Sequence, residues 1–461
     1  MGNGPQGWKR KKALIPLALL AVLAALGAGL YLRHWMMEAR VNIDTFYPGV
    51  TVDQRDLSGL TLDQALSQWA QEDLAAAQAM TLTLTLGEER WTVDAQAMGY
   101  ASDYRQVLEQ AYALGRQGGL ASRYRQVRQL AREGAAFTTH RRYDPQQLAQ
   151  ALQTLAHSLT YAPQDAQVSG FDAQSRVFIF TPERAGLQVD AQRLCQQAEA
   201  LLDQGRGGEI AIQAEDVPPG VTQGQLARQY GLIAQAVTPA AASSASRLTN
   251  IALALDAIDG VEIGQGQTFS FNQTTGQRTP QKGYQSAGAI DNGVMVQEPG
   301  GGVCQVSTTL FNAAAKAGLN ILSRSPHSRA VGYVSLGLDA MVDWPSVDLR
   351  LSNPGDGPVY LVGELDGDKR VKVSVYGKKL PEGTSYALSV QVTGSTPPGE
   401  DRFIADPTLP AGEKRLLEAA REGTSAITYR DTLDAQGQVV RRETLAKSTY
   451  PPAGNVYLVG E

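Results

Sequence analysis

Cys304, one of two cysteines in the chain, stands in the run Gly300-Gly301-Gly302-Val303-Cys304-Gln305-Val306-Ser307-Thr308-Thr309-Leu310, between three glycines and the start of a helical pattern. That placement allows nucleophilic chemistry. Unpaired amides and the positive end of the dipole at a helix start favour thiolate over thiol, and N–H groups across Gly301, Gly302 and Gln305 can receive an oxyanion. An attacking thiol usually works with a base, and of the histidines His34, His140, His157 and His327 only the last shares the cysteine's segment. The extended Pro326-His327 step can fold that ring back toward the sulfur. Asp339 and Asp343 are candidates to orient the imidazole, with loop solvation as the competing explanation. Ser307 and Thr308 are alternative nucleophiles, but one turn into the helix they are better suited to cap or line the site. Arg324 and Arg329 flank the histidine with paired donors fit for a peptide carboxylate. Asn250 and Asn272 can align substrate amides or cap turns. The competing reading of Cys304 is an inert packed thiol; the three glycines, costly in backbone entropy, argue against it.

The elements that must position these residues follow from periodicity. Apolar residues at Val306, Leu310, Ala313, Ala314 and Ala317, with Lys316 in the last turn and Gly318 as a stop, predict an amphipathic helix beginning at the cysteine. A second helix carries Leu248, Ile251, Ala252, Leu255 and Ile258 and ends at Gly260. Val347–Leu351, Val359–Val362 and Val371–Tyr376, separated by Asn-Pro-Gly-Asp-Gly and Asp-Gly-Asp turns, read as an antiparallel meander.

Outside this block, Trp8-Lys9-Arg10-Lys11-Lys12 precedes an uncharged apolar run over 13–32, long enough for a membrane anchor. Basic residues before the run set residues 1–12 in the cytoplasm and the bulk outside, with cleavage after Ala25 to Gly29 the alternative. Residues 40–215 alternate short strands with helices and carry a weak internal repeat: Met98–Leu114 matches Ala185–Leu202, and Leu57–Asp63 opens a related helix. Residues 216–246, rich in proline and small residues, read as a linker, 247–378 as an α+β domain and 384–461 as a small all-β module. The expected class is a multidomain α+β chain. Two cysteines do not make a disulfide framework, and Cys195 falls mid-helix as a core residue. A net charge of −5 argues against nucleic acid. The arginines at 116, 123, 125, 128, 132, 141 and 142 read as a solvated face, or as a contact for anionic wall polymer. No residue cluster has metal-ligand spacing and no glycine motif has a nucleotide-binding context, so no cofactor is expected.

Arg247-Leu248-Thr249-Asn250-Ile251, Phe269-Ser270-Phe271-Asn272, Gly283-Tyr284, the GGGVCQVSTTLFN run, Arg324-Ser325-Pro326-His327-Ser328 and Gly337-Leu338-Asp339-Ala340 together resemble the VanW family of glycopeptide-resistance clusters, from about residue 230 to 378. The C-terminal segment resembles a G-five domain, and residues 40–215 resemble a peptidoglycan-binding module that precedes some L,D-transpeptidases. The resemblance implies a cell-envelope role and a cysteine L,D-transpeptidase forming 3–3 crosslinks between stem peptides, with Cys304 as nucleophile; the residue chemistry above adds His327 as base and Asp339 as candidate orienter. Arg324, Ser307, Tyr284 and Asn250 are the residues expected at the substrate. The rival is a non-catalytic scaffold that binds wall glycan and stem peptide, or an accessory resistance protein.

Overall fold

The computed structural model describes residues 9–291 and 294–460, so the first eight residues of the expected cytoplasmic tail lie outside it. The helix Lys9–Val41 holds an apolar stretch, Ala18–Val41, long enough to cross a bilayer, with side chains exposed from Ala18 to Met36 and Val41 at its end buried in the core that follows. Beyond it the chain divides into two compact units.

The first unit comprises residues up to 163 and 185–218. Its helices begin where hydrogen-bonding side chains take up the orphan amides: Thr61 and Gln64 form a capping box before Leu62–Ala79, Asp144 caps Pro145–Leu159, and Asp190 caps Ala191–Leu202. Two hydrophobic cores result, one around Tyr47, Trp69 and Leu108, the other around Leu84, Leu148, Leu152 and Leu202. Cys195 packs against the second core as a free thiol, its pKa pushed up by burial and then by Glu199. Within the arginine cluster, Arg123 donates to the carbonyl of Val41, the last residue of the apolar helix, and Arg116 to those of Ile43 and Thr45 just past it, so these two brace the backbone rather than form a solvated face.

The second unit comprises 164–184 and the chain from 219 onward. The hairpin of Gln167–Asp172 and Val177–Thr181 packs within this unit, with Phe171 stacked on Tyr360 and Phe178 edge-on to Tyr230. The expected linker at 216–246 is structured. Gln223–Gln229 is helical behind a Thr222–Gln225 capping box, and Tyr230–Pro239 is an edge strand of the sheet it forms with Arg370–Lys378, Val359–Leu365 and Glu262–Ile263. Its alanines are small for a packing reason. The helix Val303–Lys316 lies close against this strand, with Thr309 bonded to Thr238 at 2.8 Å and the Gln305 amide bonded to the Thr238 hydroxyl and the Pro239 carbonyl.

That helix is the centre of the unit. It was expected to be amphipathic, yet from Val303 to Ala315 every described residue except Cys304 is buried, because sheet, loop and a neighbouring helix surround it. Its polar side chains are satisfied inward, Thr308 and Asn312 against the 338–340 loop. Ala245–Ile258 packs on the same core, and Gly260, at φ +72°, ends that segment. The meander also differs in part: Arg350–Ser352 leaves the main sheet and pairs with Thr268–Ser270 and Asn320–Ser323. The C-terminal module is all-β, two three-stranded sheets built from Ser385–Thr396, Gly423–Leu433 and Val439–Tyr450, and from Arg402–Ala405, Val456–Val459 and Lys414–Glu418.

Candidate active site

Cys304 occupies the second residue of its helix, with Sγ 3.3 Å from the Val342 carbonyl and hydrogen-bonded to the His327 ring. Asp339 holds the other side of that ring. One carboxylate oxygen receives both the His327 backbone N–H and Nδ1, each at 2.7 Å, which leaves Nε2 for the sulfur. The second oxygen receives Arg324 at 2.9 Å and the Tyr450 hydroxyl. His327 is only 5% exposed. Burial acts to lower its pKa, but the hydrogen bonds to Asp339 and Cys304 and their charges outweigh it, and the net is a rise to about 9. Burial likewise raises the Asp339 pKa, and the bonds from His327, Tyr450 and Arg324 turn the net shift downward. An imidazolium held between a carboxylate and a sulfur is therefore the stable state near neutral pH.

The triple glycine is explained by close packing. A Cβ on Gly300 would meet the Arg278 side chain at 2.8 Å, one on Gly301 the Ala287 carbonyl at 2.4 Å, and one on Gly302 the Arg247 side chain at 2.9 Å. Gly300 and Gly302 also have φ of +89° and +110°. Asn250 clamps this turn, bonding the Gly301 carbonyl at 3.0 Å and both backbone groups of Gln285. Of the amides expected to face an oxyanion, Gly301 N–H is taken by Glu298 and Gln305 N–H by Gly302. Those of Gly302 and Cys304 take no acceptor among the described residues.

A cavity of about 1010 Å³ opens beside Cys304, lined by the glycine turn, Arg247, Arg278, His327, Tyr333 and Trp344 among others. Several residues expected at the substrate do not line it. Arg324 is fully buried, donating to Asp339, Gly337 and Ser448, with its cation over Phe311. Ser307 donates to the Ala340 carbonyl at 2.6 Å, and Gln305 is held by the strand and by Arg247. Tyr284 lies in the core and Asn250 serves the turn. Asp343 does line the cavity, and Arg329 lines it while paired with Glu418. Asn272 bonds the Asp343 and Val347 carbonyls.

Three contributors escaped the sequence reading. Arg278 and Arg247 bring cations, and Tyr333, its pKa pushed up by burial and by Cys304, bonds Thr308. Thr449 and Pro451 of the C-terminal module complete the cavity wall beside the Tyr450 that holds Asp339. Arg278 sits in a run of Gln and Thr with no periodic signal. The contribution of Tyr450 depends on pairing across more than a hundred positions, which no local pattern encodes.

Comparison with known proteins matches the description "VanW like protein" to residues 246–376, "Putative peptidoglycan binding domain" to 91–211 and "G5 domain" to 389–461. The chain is 36% identical over 200 residues to "Uncharacterized protein YoaR" of Bacillus subtilis, covering 43% of this chain and 66% of the relative. It is 28% identical over 142 residues to "Vancomycin B-type resistance protein VanW" of Enterococcus faecalis, covering 30% of this chain and 51% of that one. The matches thus span just under two thirds and about half of these relatives. An IgA1 protease G5 domain structure aligns at 19% identity and a TM-score of 0.12, covering 17% of this chain and 89% of that one. The chain is thus similar to the VanW family over its central domain, with the "Putative peptidoglycan binding domain" match before it and the G5 domain match after it, a set of domains that suggests a cell-wall-associated protein.

Proposed function

We propose that this protein is a membrane-anchored cysteine L,D-transpeptidase of peptidoglycan, its N-terminus cytoplasmic and its two units facing the wall. The observation that carries this reading is the buried Asp339–His327 pair hydrogen-bonded to a half-exposed Cys304 at the mouth of a large cavity. In the proposed sequence the Cys304 proton resides on His327, and the sulfur attacks the carbonyl carbon of the third stem residue. The tetrahedral oxyanion is received by the N–H groups of Gly302 and Cys304. As the C–N bond to the terminal D-alanine breaks, the imidazolium returns its proton to the departing amine, leaving a thioester. The side-chain amine of a second stem attacks that thioester, gives up a proton to His327 and releases the thiolate with a new amide. Water in place of the amine would give hydrolysis.

The first test is product analysis. Isolated sacculi or tetrapeptide muropeptides incubated with wild-type protein should gain 3–3 crosslinks that Cys304→Ser does not make. Identical products from both would remove the catalytic reading and leave the scaffold.

A further inference from the structure

Among the charged groups around Cys304, Arg278 stands out by what it lacks. Both terminal nitrogens of its guanidinium are buried, and neither has a hydrogen-bond partner among the described residues. Its stem is pinned against Gly300, and its cation lies 5.7 Å from the centre of the Phe271 ring. Asp343 and Asp348 act on its charge without bonding it; Asp348 is occupied by the Ser270 hydroxyl and the Asn272 backbone N–H. Arg247, another cation lining the cavity, donates to neutral groups, the Gly288 carbonyl and the Gln305 side chain. A guanidinium withdrawn from water with two donors unused is costly to hold unless an anion completes it. Its flat fork matches the two oxygens of a carboxylate.

Building on the transpeptidase reading, we propose that Arg278 binds the free terminal carboxylate of the departing residue, so that the site takes peptides ending one residue beyond the attacked carbonyl. In such a peptide the carboxylate trails the scissile amide by a single residue, and Arg278 shares the Cys304 cavity and its electrostatic field. A stem one residue longer would place a neutral amide against the guanidinium and leave its charge unanswered. Arg278 is thus a specificity residue, distinct from the Cys304–His327–Asp339 relay.

The test compares a tetrapeptide stem as free acid with the same peptide amidated at its C-terminus. In Cys304→Ala protein, which cannot react, calorimetric titration should give at least tenfold tighter binding of the free acid, and Arg278→Gln added to this background should abolish the difference. Arg278→Lys, which keeps the charge but loses the fork, should retain part of it. Matching thermal melts for the variants identify the loss as one of recognition. Equal binding of acid and amide by the unsubstituted cavity overturns the proposal. So does a free-acid preference that survives in Arg278→Gln. Because these titrations need no turnover, they judge Arg278 even if the crosslinking assay gives no product, a result that would count against the transpeptidase alone.

Discussion

At the level of single residues, the site is an ion-pair network in which Asp339 touches four groups, and its removal should be felt more widely than a catalytic orienter's. Asp339→Asn leaves Arg324 buried without its counter-charge, and removing one partner of a buried pair typically costs ~3–5 kcal/mol. A melting curve of the second unit should show that loss, whereas Cys304→Ser should melt near wild type. The histidine supplies a pH signature. Its folded pKa lies above the unfolded value, so its stabilisation is complete below pH of about 6.5 and disappears as pH rises through about 9. The shift corresponds to roughly 3 kcal/mol. Asp339, with its pKa held down, contributes in the opposite sense, losing its share only as pH falls into the acid range below its ordinary value. Denaturant unfolding from pH 6 to 10 should therefore show an alkaline decline in wild type that His327→Gln largely lacks.

Among the elements, the glycine turn and the buried helix determine where the sulfur points. Gly301→Ala drives a methyl into the Ala287 carbonyl, and Gly302→Ala adds strain at positive φ; each should destabilise by about 1–3 kcal/mol and displace the start of the helix. Thermal melts together with thiol-labelling rates at Cys304 would report both effects. This part of the fold is legible because its signals are local. The glycines, the apolar spacing through Ala317 and the Gly318 stop define a helix starting at the cysteine, and the chain ending in Pro326-His327 returns to it. What escaped was set by packing. The alanines of Tyr230–Pro239 resemble a flexible tether until a helix is laid against them, and Arg324 resembles a substrate clamp until Asp339 and Ser448 enclose it.

For the molecule as a whole, the C-terminal module contributes to the site itself. The small all-β module expected over 384–461 carries no candidate site residue in its sequence, yet Tyr450 donates to Asp339, Ser448 accepts from Arg324, and Thr449 and Pro451 line the cavity. Tyr450→Phe removes a single hydroxyl from the buried carboxylate and should lower stability by about 1–3 kcal/mol. Crosslinking should fall with it while binding to isolated sacculi is retained, a split that pull-down and product analysis would measure side by side. On the transpeptidase proposal, the order of apolar helix, peptidoglycan-binding match, VanW-like domain and G5 domain along the chain would place an anchor first and the reacting domain after it.

The central claim concerns one covalent bond, and intact-mass spectrometry after exposure to a carbapenem addresses it most directly. The β-lactam ring opens onto an activated thiolate, so the wild-type ectodomain should gain one inhibitor mass, mapped by peptide digestion to Cys304, with no adduct in Cys304→Ala and a much slower one in His327→Gln. An unmodified wild-type protein, or an adduct on Cys195 instead, would contradict the account.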